Sequence, residues 1–447
     1  MQLAEKYAKP VPRYTSYPTA PHFHAGIGNR EYGAWLSALP EGARLSLYIH
    51  IPYCDRLCWF CGCHTKQVAR YEPIAKYLLS LRAEIEAVAA RLEGRGTVTA
   101  LHFGGGSPTM VSPADLAALN TLLRTRFTFA PDAEISVEID PSDMTPEKTE
   151  ALAAIGMTRA SLGVQDFDLT VQKAINRLQS FEQTKEVVDA VRAQGVRSVN
   201  LDVLYGLPHQ TIASVLSTVD QVLSLRPDRI ALFGYAHVPW LKKHQTMIDE
   251  TALPGAQSRF EQARAAAEAI TAAGYQAIGI DHFALPEDGL ARAASDGSVQ
   301  RNFQGYTADR HDALIGLGAS AIGKLPQGYV QNVVATEDYR RAVAQSGTAI
   351  VRGLVLSDED NLRGYVIEKL MCNFGFNFAD LRKKFGQAAE PVIAEAQLML
   401  NYDPDGLLFR AGDHFGLTPI GRPFVRSVAA GFDAYLLEGG ARYSVAV

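Results

Sequence analysis

Cysteine is scarce in this chain, with five in 447 residues. So few cannot staple a disulfide scaffold, and four of them, Cys54, Cys58, Cys61 and Cys63, fall in one short stretch, where bridges would close almost no loop and stabilise little. Long apolar runs are missing as well. No stretch approaches the roughly 18 residues that a bilayer-crossing helix needs, and the opening MQLAEKYAKPVPRYTSYPTA has no apolar leader segment, so a cytoplasmic protein away from membranes is expected. Nor is positive charge in excess: 43 Lys and Arg against 48 Asp and Glu leave a net charge of −5. No global field draws nucleic acid or anionic lipid, and an anionic ligand must be met locally. With 47% hydrophobic and 20% charged residues, the chain is globular, with length for two or three units or for one barrel plus an appendage.

Residues 1–44 are rich in Pro, Tyr and Gly, as in PRYTSYPTAPHF, and show no sustained period, which reads as an ordered arm. From Leu45 to 348, short apolar runs alternate with amphipathic helical patterns, the signature of a parallel βα architecture. Strands are expected to begin near 45, 98, 133, 159, 198, 229 and 275, and some of these seven need not enter the closed sheet. Ser112 and Thr145 each precede a proline, giving a helix N-cap followed by Pro at the first helical position. Gly195 and Gly274 end helical patterns where a left-handed residue is wanted. Beyond Ala349 the alternation stops. Residues 349–447 read as a separate, mainly helical domain in which GLLFRAGDHFGLTPIGRPFV forms a hairpin followed by a helix, with a winged-helix flavour. The fold class is therefore α/β: a partial, TIM-like βα barrel with an N-terminal arm and a helical C-terminal domain.

The sharpest motif is HIPYCDRLCWFCGCH, with Cys54, Cys58 and Cys61 at C-x3-C-x2-C and Cys63 two residues on. Zinc is one reading, because Cys63 or His64 would complete a four-ligand site. Zinc sites more often draw ligand pairs from two separated segments. A 4Fe–4S cluster held by three cysteines leaves one iron open, which chemistry at the cluster requires. Cys63 is then a fourth ligand, a structural thiol or part of a substrate pocket. The motif directly follows a strand, at the carboxyl mouth where βα barrels place their sites. Other strands end there in Gly104, Gly105, Gly106 and Ser107, in Glu138 and in Gln165, while Asp202 lies within the fifth. Each alone reads as a turn, a cap or a solvated strand end; their arrival at one face of one sheet favours a common site. His50 reads equally as a satisfied core residue, and Cys372 as a small buried hydrophobe.

C-x3-C-x2-C is the radical S-adenosylmethionine (SAM) signature. Together with PRYTSYPTA, CGC, HFGGGSPT, EISVEIDP, SLGVQDF, NLDVLYGLP, YAH, DHFA, RNFQGYT and MCNF, it makes the chain resemble the oxygen-independent coproporphyrinogen III oxidase family over most of its length. That resemblance implies a partial (β/α)6 barrel, one 4Fe–4S cluster on Cys54, Cys58 and Cys61, and two SAM molecules. Tyr48, Gly105, Glu138 and Ile322 would hold the cluster-bound SAM, with Phe60 against an adenine-bearing ligand. Gly106, Ser107, Gln165, Arg177, Asp202 and Ala236 match the positions for the second. Ser107 stands in place of a threonine and Trp59 in place of a tyrosine. Arg13, Tyr48, Cys63 and Gln304 are the candidate catalytic residues, Arg13 on the substrate side because guanidinium pairs a carboxylate bidentately. The implied reaction converts two propionates of coproporphyrinogen III to vinyl groups, giving protoporphyrinogen IX, with an external electron donor and acceptor and the enzyme as a monomer. A related haem-chaperone family shares the cluster motif, but its pattern lacks the CGC cysteine and the PRYTSYP arm and carries an HNxxYW motif where this chain has RNFQGYT. A radical SAM enzyme acting on another substrate is the remaining alternative.

Overall fold

The computed structural model describes residues 3–436 together with 443 and 444; the expected C-terminal domain thus has part of its last stretch, 437–442 and 445–447, outside the described residues. Six strands appear where the apolar runs place them: β1 (Arg44–Ile51), β2 (Thr97–Gly105), β3 (Phe129–Ile139), β4 (Arg159–Gln165), β5 (Ser198–Tyr205) and β6 (Arg229–Gly234). They pair in sequence order, every pair parallel. Helices close the crossovers. Ser112 Oγ accepts the Asp115 N–H and Thr145 Oγ1 the Lys148 N–H, as N-caps do. Gly195 and Gly274 take the positive φ, 83° and 95°, that lets each helix end and turn into the next strand.

The expectation near 275 needs correction. That run forms only a three-residue strand, β7 (Gln276–Ile278), at the sheet's outer edge; its antiparallel partner β8 (His282–Ala284) is what pairs with β6. The seventh parallel strand is β9 (Ala313–Leu317), which returns to the other side of β1. Beyond it, β10 (Ile322–Leu325), β11 (Gly328–Asn332) and β12 (Ile350–Val355) continue antiparallel, so the sheet runs β12-β11-β10-β9-β1-β2-β3-β4-β5-β6-β8-β7. Residues 350–355, expected to open the C-terminal domain, thus belong to the barrel's sheet.

One hydrophobic cluster joins Leu45, Leu47 and Ile49 of β1 to Leu78, Leu81, Ile85 and Val88 of the helix Glu72–Leu92. Each such side chain contributes about 1.5–3 kcal/mol on burial, and Leu81→Ala would cost about 2–5 kcal/mol. A second cluster holds the C-terminal unit, with Val366, Leu370, Phe376, Ile393, Phe415 and Phe432. There the helix Asp358–Asn373, the strand Gly375–Asn377, two further helices and the hairpin Leu408–Ala411/His414–Leu417 follow in order, as the hairpin-then-helix reading requires. Tyr14 and Tyr17 of the arm are part of this second core.

Candidate functional site

The barrel strands explain the site through their alternation. Strands covered by helices on both faces read as continuous apolar runs, whereas β3 places Ser136 and Glu138, and β5 Asn200 and Asp202, at every second position, so one face of the sheet is polar. His102 of β2 links this face. Its Nε2 donates to Glu138 Oε1 at 3.1 Å while its Nδ1 accepts from Ser136 Oγ. Gly105 N–H adds a second donor to Glu138, at 3.0 Å. Burial pushes the Glu138 carboxyl up, but these donors outweigh it and hold the group below its usual range. Tyr48 stacks on His102 with ring centroids 5.7 Å apart. His50 bridges strand and loop: its Nε2 donates to His64 O at 2.9 Å, leaving Nδ1 to accept the Tyr48 hydroxyl at 2.9 Å. Burial lowers its pKa, which keeps the ring neutral in that tautomer.

The thiol loop leaves β1 at Ile51 and is tied back along the glycine run. Gly106 N–H donates to Ile51 O and Ser107 N–H to Tyr53 O, both at 2.8 Å. A Cβ on Gly106 would lie 2.5 Å from Thr65 Oγ1 and 2.6 Å from Tyr53 O, so only glycine permits this approach. Three thiols each face a polar neighbour. Cys54 Sγ lies 3.0 Å from Thr65 Oγ1, Cys58 Sγ accepts from Arg177 Nη1 at 3.6 Å, and Cys61 Sγ accepts the Cys63 N–H at 3.4 Å. Hydrogen bonds of this kind stabilise thiolate, the ligand form of cysteine, so the donor set fits a thiolate-held cluster. Among the described residues no three His, Cys, Asp or Glu side chains converge closely enough to hold a single ion, and zinc would need four at about 2.0–2.3 Å.

Arg177 is the hinge between this loop and the middle strands. Its Nη1 also donates to Asp140 Oδ2 at 3.0 Å and its Nη2 to Gly163 O at 2.7 Å, which leaves Nε as its unpartnered donor. Gln165 sits beside it at φ 69°, where β4 shifts register against β5. Asp202 accepts from Asn200 Nδ2 at 2.7 Å; burial pushes its carboxyl up to about 7. Phe60 packs with Trp59 and Phe233 on the cluster around Leu204 and Tyr235. Gln245 Nε2 donates to Phe60 O at 2.9 Å and to Ala236 O at 3.2 Å, joining two of the expected positions.

Other expected residues stand differently. The Ser107 hydroxyl donates to Asp143 Oδ2, at 2.9 Å, and lies 2.7 Å from Thr109 Oγ1. Ile322 opens β10, its backbone against Gly316, which pairs with Tyr48. Arg13 reaches the end of β6, donating to Gly234 O at 2.8 Å. Gln304 lies in the hairpin 300–307, whose Gly305 abuts His282; its Nε2 is buried without a partner. Cys63 is exposed. Sequence reasoning missed His102, Lys242, His244 and Gln245. Lys242 Nζ donates to Cys63 O at 2.9 Å and His244 Nε2 to Cys61 O at 2.7 Å. The run of four polar residues KKHQ, 242–245, after a barrel strand was the available signal. Among the described residues no helix is long and apolar enough to cross a membrane.

Comparison with known proteins places these features together. The model of the radical SAM superfamily matches residues 48–222, and that of the HemN C-terminal domain matches 356–424. An oxygen-independent coproporphyrinogen III oxidase of Bradyrhizobium diazoefficiens is 49% identical over 446 residues, covering 100% of this chain and 99% of the relative. One of Paracoccus denitrificans is 45% identical, covering 95% and 94%. The solved coproporphyrinogen III oxidase (HemN) of Escherichia coli, described as a radical SAM enzyme, superposes with a TM-score of 0.91 at 36% identity, covering 96% of this chain and all of that one.

Proposed function

Since the chain belongs to the oxygen-independent coproporphyrinogen III oxidase family of radical SAM enzymes, we propose that it converts coproporphyrinogen III to protoporphyrinogen IX. The observation that carries this reading is likeness along the whole chain, from the arm through the barrel to the C-terminal unit, at 49% identity. Cys54, Cys58 and Cys61 would hold the 4Fe–4S cluster, and Tyr48, Phe60, Gly105, Glu138 and Ile322 the SAM bound to it. Gly106, Ser107, Gln165, Arg177, Asp202 and Ala236 would hold a second SAM. When bound, cluster and SAM supply the electron and the hydrogen-abstracting radical that no side chain can. Each propionate gives up one β-hydrogen atom, carbon dioxide and one electron, the last to an external acceptor, and becomes a vinyl group.

The protein's share is charge and position. Glu138, kept ionised by His102 and Gly105, can accept from an ammonium or hydroxyl group of SAM. Arg177 sets a positive charge between Cys58 and Asp140. His50 fixes the Tyr48 hydroxyl and the start of the thiol loop at once. Asp202, titrating near 7, can donate as well as accept at neutral pH. Arg13 and Gln304 fall to the substrate side. A cytoplasmic, monomeric enzyme with separate electron donor and acceptor completes the reading, on the resemblance alone. Anaerobic incubation of the reconstituted protein with SAM, reductant, coproporphyrinogen III and an external electron acceptor, supplied as an extract of cells lacking this enzyme, tests it. Two carbon dioxide and one protoporphyrinogen IX per substrate are expected; haem binding with no decarboxylation would sink the reading in favour of a chaperone.

A further inference from the structure

A second group of charges lies at the same end of the barrel, on the flank made by β5, β6 and β8. Arg13 Nη2 caps the last carbonyl of β6, Gly234 O. One residue on, Tyr235 O accepts from Arg259 Nη2 at 2.8 Å, extended from the helix Ala256–Ala272. Arg259 passes so close to the end of β5 that a Cβ on Gly206 would come within 3.1 Å of its Nε. Arg301 stands 3.7 Å from Asp281, one residue before β8, with its guanidinium 4.4 Å from the Tyr306 ring. Its side chain is only 5% exposed, yet its Nε and Nη1 have no partner, and neither has Arg259 Nε. Buried donors are nearly always satisfied in folded proteins.

Gathering like charges out of water costs free energy unless an anion answers them. Here Asp281 faces the group and Glu368 takes only the Arg301 backbone N–H. Loss of surrounding water lowers the pKa of Arg259 and Arg426, the last to about 9, and neighbouring guanidiniums add to this for Arg426, whereas Arg13 is exposed. Arg426 turns inward from the C-terminal unit and donates to Val11 O and Pro12 O. It is a positioning residue that fixes the chain just before Arg13. Arg301 also lines a cavity of about 400 Å3 beside Tyr14, Tyr17 and Lys324.

We infer that Arg13, Arg259 and Arg301 form a carboxylate receptor that holds the propionates of the porphyrinogen away from the reacting one. This rests on coproporphyrinogen III being the substrate. A tetracarboxylate that loses two groups keeps two through both turnovers, and guanidinium forks pair such groups bidentately. The receptor draws on the arm, the barrel and the hairpin at once, and the arm is held there from the C-terminal unit.

The test uses the iron-loaded protein without oxygen, and wild-type turnover of coproporphyrinogen III is measured first. Its absence would count against the function itself, separately from the receptor. Coproporphyrin III, a fluorescent tetracarboxylate, is then titrated against its tetramethyl ester on wild-type protein. Equal affinity for the two would overturn the receptor whatever any variant does. Arg259→Gln and Arg301→Gln should each raise the Kd for coproporphyrin III and the KM for coproporphyrinogen III about tenfold or more, with kcat little changed, while Arg301→Lys falls between. Iron content and substrate-free SAM cleavage should stay at wild-type levels. Unchanged Kd and KM in both Gln variants would refute the assignment.

Discussion

Gly318, the first residue after β9, is a position where one methyl group should disturb both the barrel and the thiol loop. Its φ is 99°, and a Cβ there would meet Tyr77 Oη at 2.4 Å and His50 O at 2.7 Å. These two atoms are themselves bonded: Tyr77 Oη donates to His50 O at 2.7 Å and accepts the Ala319 N–H at 3.0 Å. The Gly318 N–H is also taken, by the fully buried Glu84, which collects Asn332 and Tyr339 as further donors. In Gly318→Ala the unfavourable φ costs about 1–3 kcal/mol, overpacking about 1–3 kcal/mol, and the displaced Tyr77–His50 bond about 1 kcal/mol. The expected loss is about 3–7 kcal/mol, read as a lower urea midpoint of the apoprotein. Because His50 lies four residues before Cys54, iron loading on reconstitution should fall as well. Tyr77→Phe removes one of the two colliding atoms, so the double variant should be less unstable than the sum of the singles, by about 1–2 kcal/mol for residues in contact. Wild-type stability and iron loading in Gly318→Ala, or strict additivity with Tyr77→Phe, would refute this account.

Cys63→Ala should keep most of the iron and lose turnover, because Cys63 is the exposed extra thiol; iron loss equal to that of Cys54→Ala, by iron analysis, would make it a ligand. Glu138→Gln should weaken SAM cleavage itself, whereas Asp202→Asn should leave cluster-bound SAM in place and lower total SAM stoichiometry; identical spectra of the reduced cluster with SAM in both variants would contradict this division. Asp202 and Glu84 are both pushed up to about 7 by burial, from 3.8 and 4.5, so the fold favours their protonated forms. Their contribution to stability is full below the ordinary values and is lost as pH rises through about 7. The urea midpoint of wild type relative to Asp202→Asn should fall between about pH 4 and 7 and level off above that, and a pH-independent difference would argue against a raised pKa. Arg13→Ala should raise the KM for coproporphyrinogen III about ten- to a hundredfold without altering substrate-free SAM cleavage; an unchanged KM would reduce Arg13 to packing.

The six strands were legible because each is a short apolar run between capped helices, a local pattern. Closure was not. Ala313–Leu317 reads as a strand only through its pairing with β1, 268 residues earlier in the chain, and the hairpin 300–307 separates it from the short helix Gly289–Ser295, so no regular βα pattern announces a parallel partner. The run at Tyr275 carries the right composition but meets β8 in a tight antiparallel reversal. At the site, the spacing of Cys54, Cys58 and Cys61 and the glycine run sufficed to place the loop and its close neighbour. What supports them was hidden: His102 beneath Glu138, and Lys242, His244 and Gln245 on the loop carbonyls, act through contacts distant in sequence. Ser107 likewise has a partner distant in sequence, its hydroxyl donating to Asp143, 36 residues on.

The arm has no fold of its own. Tyr14 adopts φ 48°, which costs a side-chain-bearing residue about 1–2 kcal/mol, and this turn separates it from Arg13: the arginine reaches Gly234 of the barrel, the tyrosine the C-terminal core. The cost is offset by burying the Tyr14 ring to 4% exposure and by its hydroxyl donating to Asp433 Oδ2 at 3.0 Å. Tyr17 repeats the arrangement, its hydroxyl accepting the Ala434 N–H at 3.1 Å, and Arg426 holds the carbonyls before Arg13. Around Arg13 the barrel gives the arm a carbonyl at Gly234, whereas the C-terminal unit gives Tyr14 and Tyr17 a core; only further along, at Phe23, Tyr32 and Leu36, does the arm pack into the barrel. It follows that the position of Arg13 is set from the C-terminal unit. Damage to that unit's core should therefore displace Arg13 through the arm, while the thiol loop, tied to β1 and the glycine run, keeps its shape.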